Sequence, residues 1–173
     1  MSVRTESSGP FSVAFRAYEH AKFVAVLRGS FKLHMDGESL PTLVRRGDCY
    51  ALTRGGAYCI FNADMPDSDA AALFSSNRQP DGVVRWGDGT ADTVTVGSRV
   101  VFNPEGLAWL RDRLPPFIRI PAGGVEATRF RAILALLYGD PSNALGATFA
   151  ADRSVGLLLV QLLRHLSAGA GRR

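Results

Sequence analysis

Cysteine and histidine, the side chains that most often bind metal ions or form cross-links, are scarce in this chain. Its 173 residues include two cysteines, Cys49 and Cys59, and three histidines, His20, His34 and His165. No CxxC pair or histidine-rich spacing surrounds the cysteines, so neither a zinc site nor a disulfide framework is predicted. The histidines lie on separate predicted elements, where solvated or capping roles are more common than metal ligation.

Long apolar runs are also missing. No stretch approaches the roughly 18 apolar residues needed to span a bilayer, and the start MSVRTESSGPFSV has no apolar core of signal-peptide length. No membrane partner is therefore expected, and the predicted location is a reducing cytoplasm. With 46% hydrophobic residues the chain is apolar enough to fold, and its length fits one folded unit.

Lysine is rare as well, because the chain has only two lysines and 18 of its 20 basic residues are arginines. The arginines are scattered, so the net charge of +4 does not indicate a nucleic-acid-binding face. No segment combines a basic recognition helix with a preceding helix and a turn. Specific DNA binding by this chain is therefore not expected.

Side-chain groupings typical of catalysis are absent from the sequence too. Neither cysteine has a histidine nearby, carboxylates are not clustered, and no Ser-His-Asp pattern is present. The glycine-rich spots at Gly87 and Gly123 lack the spacing of a phosphate-binding loop and are predicted to be turns. A binding role is favoured over an enzymatic one.

Residues 11–102 have the pattern of short strands joined by turns. The run FVAVLRGSFKLHMDGESL breaks at Arg28-Gly29-Ser30 and turns at Asp36-Gly37, which predicts two strands in series. Residues 62–69 and 75–92 are polar and predicted to be exposed loops, while ALF between them and TVTVGSRVVF after them are predicted strands. Frequent turns between short strands indicate a β-sandwich or a small barrel.

The pattern changes after Asn103. Residues 104–114 carry leucines at helical spacing before a Pro-Pro pair, which predicts a short helix, and FIRIP is a predicted strand. Two further helices are predicted, over residues 126–138, closed by Gly139-Asp140-Pro141, and over about 149–167. The predicted fold class is mainly β with C-terminal helices, divided into a β-domain over residues 1–122 and a helical segment over residues 123–173.

One segment, GDCYALTRGGAYCIFN over residues 47–62, matches the spacing of the second sequence motif of cupins. The motif has Gly, Pro, Gly, His and Asn at fixed positions, where this chain has Gly47, Thr53, Gly55, Tyr58 and Asn62. The turn-forming glycines are kept, whereas tyrosine replaces the metal-binding histidine. The chain therefore resembles a cupin, which implies a jelly-roll β-barrel, with its metal ligand lost.

Four segments extend the resemblance to the N-terminal cupin domain of bacterial AraC-family transcription regulators. They occur in the family's order: AVLRGSFKL, RRGDCYALTRGG, LPPFIRIPA and LLLVQLLRHL. The resemblance implies a small-molecule effector inside the barrel and a homodimer, with DNA bound only through a C-terminal helix-turn-helix domain absent from this chain. Two other functions stay open: a stand-alone cupin enzyme, either a dioxygenase or an isomerase, and a structural dimerisation module with a filled barrel.

The positions of the other cupin metal ligands point the same way. Metal-dependent cupins carry two more histidines and a glutamate before the glycine that matches Gly29. Counting back, those places hold residues near Arg16, Tyr18 and Lys22, none of which is a preferred ligand of a first-row metal. No metal or other cofactor is expected, and the metal chemistry of enzymatic cupins would be lost.

Strand alternation adds a predicted effector pocket to this resemblance. If Tyr58 points into the barrel, Ile60 lies on the same side, and residues 24, 26 and 28 share one face of an earlier strand. The resemblance to sugar-sensing relatives implies Arg28 as a polar anchor, with Trp109 on a later helix as a lid. The alternative is that the apolar residues are plain core and Arg28 reaches solvent. The predicted ligand-binding residues are Val24, Val26, Arg28, Tyr58, Ile60 and Trp109.

The last predicted helix carries a stripe of apolar residues at three-to-four spacing. Because the resemblance implies pairing through antiparallel helices, the predicted dimer interface consists of Val155, Leu159, Leu162 and Leu166. The same stripe could instead pack on the barrel of its own chain.

Overall fold

A computed structural model describes residues 2–139 and 147–170. The strands in these ranges are β1 (Ser2–Ser7), β2 (Ser12–Phe15), β3 (Ala21–Arg28), β4 (Ser30–Met35), β5 (Thr42–Arg45), β6 (Cys49–Leu52), β7 (Tyr58–Phe61), β8 (Ser68–Asp69), β9 (Val84–Trp86), β10 (Thr93–Val100) and β11 (Phe117–Ile120). The helices are α1 (Ala70–Asn77), α2 (Pro104–Arg113), α3 (Val125–Gly139) and α4 (Ala147–Ala170).

The described strands form two sheets rather than one closed barrel. The first sheet has the order β11-β6-β3-β10-β1-β9, and the second has the order β5-β4-β7-β2-β8. Strand pairs are antiparallel except that β9 runs parallel to β1 and β8 runs parallel to β2. The predicted class, mainly β with C-terminal helices, is confirmed, and the barrel is open in its hydrogen bonding.

Strand β3 shows how the first sheet divides the core. Its alternate residues face opposite ways, so Phe23 packs outward against Phe130 of α3, with ring centroids 6.1 Å apart. Val26 faces the other way and is fully buried between the two sheets. Helices α2, α3 and α4 all cover the outer face, through the buried side chains of Leu110, Leu114, Phe130, Leu134, Leu158 and Leu162.

The predicted turns and helix ends agree closely with the structure. Strand β3 stops at Arg28, Gly29 follows with φ of 76°, and the next hairpin turns at Asp36-Gly37. Helix α2 begins at Pro104, where Asn103 caps it by accepting a hydrogen bond from the Gly106 amide at 2.8 Å. Within the described ranges, no helix is both long enough and apolar enough to cross a membrane.

Other predictions were wrong or incomplete. The segment ALF is helical rather than extended, because Asp69 caps α1 by accepting a hydrogen bond from the Ala72 amide at 3.1 Å. The predicted loop over residues 75–92 contains the end of α1 and strand β9, and β1 precedes the region predicted as strands. Asp140 and Pro141, predicted to close α3, lie outside the described residues.

A buried carboxylate, Asp48, ties the turn between β5 and β6 to the end of β11. It accepts hydrogen bonds from the amides of Arg45 at 3.0 Å and Ala122 at 2.8 Å, and it pairs with Arg119 at 2.9 Å. Burial alone would raise the pKa of Asp48, but the two amides and the guanidinium outweigh it and lower the pKa.

Candidate functional site

A cavity of about 430 Å³ lies between the two sheets, which is within the size range of small-molecule sites. Strands of both sheets line it, and α1 contributes Ala70, Ala71 and Phe74. Gly97 of β10 lines the first-sheet wall, where it pairs in register with Val3 on one side and Val24 on the other. The aromatic lining consists of Phe15, Tyr18, Tyr50, Tyr58, Phe74 and Trp86.

The cupin-like motif positions the rim of this cavity. Gly55 adopts a left-handed conformation with φ of 72°, and a Cβ there would collide with the carbonyl oxygen of Tyr18. That close approach lets the Tyr18 amide donate a hydrogen bond to the Gly55 carbonyl at 2.8 Å. Asn62, just after β7, holds the segment that precedes β2, because its side chain accepts from the Phe11 amide at 2.7 Å and donates to the Gly9 carbonyl at 3.1 Å.

Lys22 gives the cavity a cationic end. Its Nζ donates a hydrogen bond to the Tyr58 hydroxyl at 3.1 Å and lies 3.9 Å from the centroid of the Tyr18 ring. The rings of Phe15 and Tyr58 are 4.6 and 4.8 Å from the same nitrogen, so the ammonium is bounded by aromatic faces. Burial, followed by the charge of Arg99, lowers the pKa of Lys22 to about 8.

His20 also lines the cavity, which corrects the prediction that it is a solvated or capping side chain. Its ring is 4.4 Å from that of Tyr18 between centroids. Burial, together with the charges of Lys22 and Arg99, lowers the pKa of His20 to about 4, so the imidazole is neutral at pH 7. His34 does cap, since its Nε2 is 2.9 Å from the Glu38 carbonyl in the hairpin turn.

Aromatic rings form a continuous wall along the cavity. Phe15 stacks on Tyr58 at 4.5 Å with an interplanar angle of 3°, and it meets Phe74 edge-on at 5.9 Å. Phe74 in turn lies 6.2 Å from Trp86, again between ring centroids. The wall therefore connects the lysine end of the cavity to the indole of Trp86.

Two polar atoms of this lining have no hydrogen-bond partner among the described residues. They are the hydroxyl of Tyr18 and the indole nitrogen of Trp86, and both atoms are buried. A buried donor without a partner costs about 1–3 kcal/mol, so such atoms often mark the place of a ligand or an ordered water. Two residues of the lining thus carry a buried donor that has no described partner.

Three of the six predicted ligand-binding residues, Val24, Tyr58 and Ile60, line the cavity. Val26 has the expected facing but is packed into the core between the sheets. Arg28 does not line the cavity: β3 has an extra residue opposite the step from Val94 to Thr95, which breaks the alternation. Its guanidinium donates instead to the Ala91 carbonyl at 2.9 Å, at the exposed end of the strand.

Trp109 does not lie where a lid would have to lie. It is carried by α2, whose Leu110 packs into the core on the outer face of the first sheet, away from the cavity. The residue is 39% exposed, and its ring centroid lies 5.3 Å from the guanidinium of Arg113. The expected lid is therefore corrected to a solvent-facing residue of α2.

The predicted dimer stripe also needs correction. Leu162 is fully buried in the core of its own chain, and Leu159 and Leu166 pack against that core, as the alternative prediction has it. Val155 is half-buried. A different face of α4 is exposed, with Leu157 at 52%, Val160 at 38% and Leu163 at 39%.

The residues counted onto the metal positions of other cupins do converge here. Arg16, Tyr18, Lys22 and Tyr58 all line the cavity. An ammonium, a guanidinium and phenols whose pKa is raised by burial do not fit a divalent cation. Over residues 2–139 and 147–170, no three His, Cys, Asp or Glu side chains are grouped to bind a metal ion.

Comparisons with known proteins place this chain in a family. The sequence profile of the cupin family matches residues 1–168, and the chain belongs to that family. AraC-like transcription regulators from Streptomyces antibioticus and Streptomyces lividans are each 31% identical to it over 169 residues. These alignments cover 96% of this chain and 55% of each relative, so the chain spans about half the length of the curated relatives it matches.

Among solved structures, apo ToxT from Vibrio cholerae aligns with 93% of this chain and 55% of its own, with a TM-score of 0.49 and 10% identity. The sequence matches confirm the resemblance to cupins and to AraC-like regulators.

Proposed function

We propose that this chain is the effector-sensing and dimerisation domain of an AraC-like transcription regulator, with its effector in the cavity between the sheets. The observation that carries the proposal is the cavity of about 430 Å³, whose lining residues include Tyr18 and Trp86, each with a buried donor that has no described partner. A space of that size favours a sensor over a structural module with a filled interior.

A non-enzymatic role is part of the proposal. The two relatives from Streptomyces are both described as transcription regulators, and neither description names a reaction. DNA would then be bound by a further domain of such a regulator, outside the region matched here. A cytoplasmic location follows from this role, because a regulator of bacterial transcription works where the DNA is.

The structure suggests how an effector would be sensed. Lys22 and Val24 of β3 line the cavity, while Phe23 between them packs against Phe130 of α3 on the opposite face. An effector that shifts β3 therefore changes the packing of the helices. For signalling, the effector has to bind one arrangement of sheet and helices better than the other, and the difference in affinity sets the population shift.

The homodimer is proposed to form through the exposed face of α4. Leu157, Val160 and Leu163 recur at three-residue spacing, so they lie on one side of the helix, and Leu136 of α3 adds a side chain that is 68% exposed. Exposed apolar residues grouped on one helix face are typical of a helix-to-helix interface.

The two tryptophans allow a direct test of effector binding. Trp109→Phe leaves Trp86 as the only indole, inside the cavity, and Trp86→Phe leaves Trp109 outside it. A metabolite library is screened by tryptophan emission and by thermal shift. An effector should change the emission of the Trp109→Phe protein and leave that of the Trp86→Phe protein unchanged. If no compound raises the melting temperature or alters Trp86 emission, the sensor proposal fails.

A further inference from the structure

The positive charge of Lys22 is not balanced by a carboxylate among the described residues. Asp69 is the one carboxylate of the cavity lining, and it is already engaged by Arg16 at 3.0 Å and by the Ala72 amide at 3.1 Å. Arg99 adds a second cationic side chain to the same lining, and its charge contributes to the lowered pKa of Lys22. The ammonium of Lys22 is therefore left without a described counter-ion at this end of the cavity.

The arrangement of rings around Lys22 also favours one charge of ligand over the other. Faces of aromatic rings attract cations, and protein sites for ammonium ligands are often built from such rings. In this cavity the faces of Phe15, Tyr18 and Tyr58 already surround the protein's own ammonium. A cationic ligand would meet a like charge, whereas an anionic ligand would gain a charge-assisted hydrogen bond.

The remaining lining describes the rest of the ligand. The Tyr18 hydroxyl is a buried donor without a described partner, on a residue whose ring is in contact with Lys22. The wall from Phe15 through Phe74 to Trp86 is apolar and aromatic, so it fits a flat or flexible hydrocarbon body. At the far end, the indole nitrogen of Trp86 can only donate, so it fits an acceptor on the ligand.

We propose that the effector is an organic anion with an aromatic or aliphatic body, and that its carboxylate binds to Lys22 and the Tyr18 hydroxyl. The apolar body then lies along the aromatic wall toward Trp86. This inference rests on the proposed function and adds the chemical class of the ligand to it.

Matched pairs of carboxylates and amides test the charge preference. The probes are benzoate and benzamide, cinnamate and cinnamamide, and octanoate and octanamide, titrated into the complete 173-residue chain at pH 7 by calorimetry. In at least one pair the carboxylate should bind about 10- to 100-fold tighter than the amide, the range expected of a charge-assisted hydrogen bond. Phenylpropylamine, a cation of similar shape, should not bind.

The chain contains its own matched control, because its only other lysine, Lys32, is exposed on β4. Lys22→Met should reduce the carboxylate's affinity to that of its amide, while Lys32→Met makes the same change of net charge and should leave the preference intact. Equal loss in both variants would mean that the preference comes from overall charge, which overturns the role of Lys22.

The two lysines also give a readout that does not depend on the variants folding. With isotope-labelled lysine the protein shows only two ammonium groups, so the pKa of Lys22 can be followed directly. Binding of the carboxylate should raise that pKa above its starting value of about 8, and binding of the amide should not. An amide that binds as tightly as its carboxylate, with no change at Lys22, overturns the inference and leaves the sensor proposal standing. If no carboxylate binds, the inference fails. The sensor proposal fails as well only if the metabolite library also yields no compound that binds.

Discussion

Lys22 and Tyr58, at positions counted onto the metal ligands of other cupins, are joined by a hydrogen bond of 3.1 Å. Where a metal-dependent cupin would hold a cation, this chain provides its own ammonium. An ammonium attracts anions as a bound metal ion does, but it offers no coordination chemistry. A binding role can survive that change.

Tyr58→Phe should weaken binding of a carboxylate probe at pH 8. The substitution keeps the ring stacked on Phe15 but removes the acceptor of the lysine hydrogen bond, so the pKa of Lys22 falls below about 8 and more of the lysine is neutral. We expect a loss of about 3- to 10-fold in affinity, measured by calorimetry. Arg28→Ala is the control and should have no effect, because its guanidinium bonds the Ala91 carbonyl outside the cavity. Equal losses in both variants would contradict the placement of the site.

Lys22→Met should stabilise the protein at neutral pH. The pKa of Lys22 is lowered from 10.5 to about 8 on folding, so the unfolded chain binds more protons between those values and the parent gains stability as the pH rises through that window. The advantage of the methionine variant should therefore be largest below pH 8 and shrink toward pH 10.5. Urea unfolding of parent and variant at several pH values from neutral upward measures this difference, above the range in which His20 titrates. Lys32→Met should show no such pH dependence.

Asp48→Asn should destabilise the fold by about 3 kcal/mol at pH 7. The asparagine side chain places an NH₂ group where the carboxylate had an acceptor oxygen, and Arg119 loses its anionic partner. Since the pKa of Asp48 is lowered on folding, its contribution is present above the unfolded value of 3.8 and is lost as the pH falls through the folded value. The difference between parent and variant should shrink below pH 3.8. Asp88→Asn, on an exposed turn, is the comparison and should unfold like the parent.

Charge on the exposed face of α4 should produce monomers. Val160→Glu with Leu163→Glu places two carboxylates where the side chains are 38% and 39% exposed, so the fold is kept and the proposed interface is lost. Sedimentation should give a dimer for the parent and a monomer for the variant, with unchanged circular dichroism. Leu162→Glu should instead unfold the chain, because that side chain is fully buried. A parent that sediments as a monomer at high micromolar concentration would contradict the dimer.

Most strands and helices could be predicted from the sequence, because residues within a few positions of each element decide where it begins and ends. The hairpin at Asp36-Gly37 and helix α2 with its Asn103 cap follow from turn and capping residues within a few positions. Helix α1 was missed because ALF alone fits either structure, and the deciding residue was Asp69 before it. Strand β1 was missed because it is polar on one face and is held by pairing with β9 and β10, which are distant in the sequence. Its own residues do not indicate that pairing.

The lining of the cavity was predictable only where strand alternation is regular. Val24, Tyr58 and Ile60 were found by their spacing, whereas the extra residue in β3 moved Arg28 out of phase. Lys22 could have been recognised from the sequence, because a lysine at an inward position of the strand AKFVAVL is unusual. The unpaired donors of Tyr18 and Trp86 could not have been predicted, since they depend on the packing of several elements at once.

The absence of a side chain at Gly97 leaves space in the cavity lining. A Cβ at this position would stand 3.2 Å from the Cγ2 of Val24, on the wall that faces the ligand. A larger side chain there would take up space in the cavity, so on the proposed mode of binding longer ligands would be excluded.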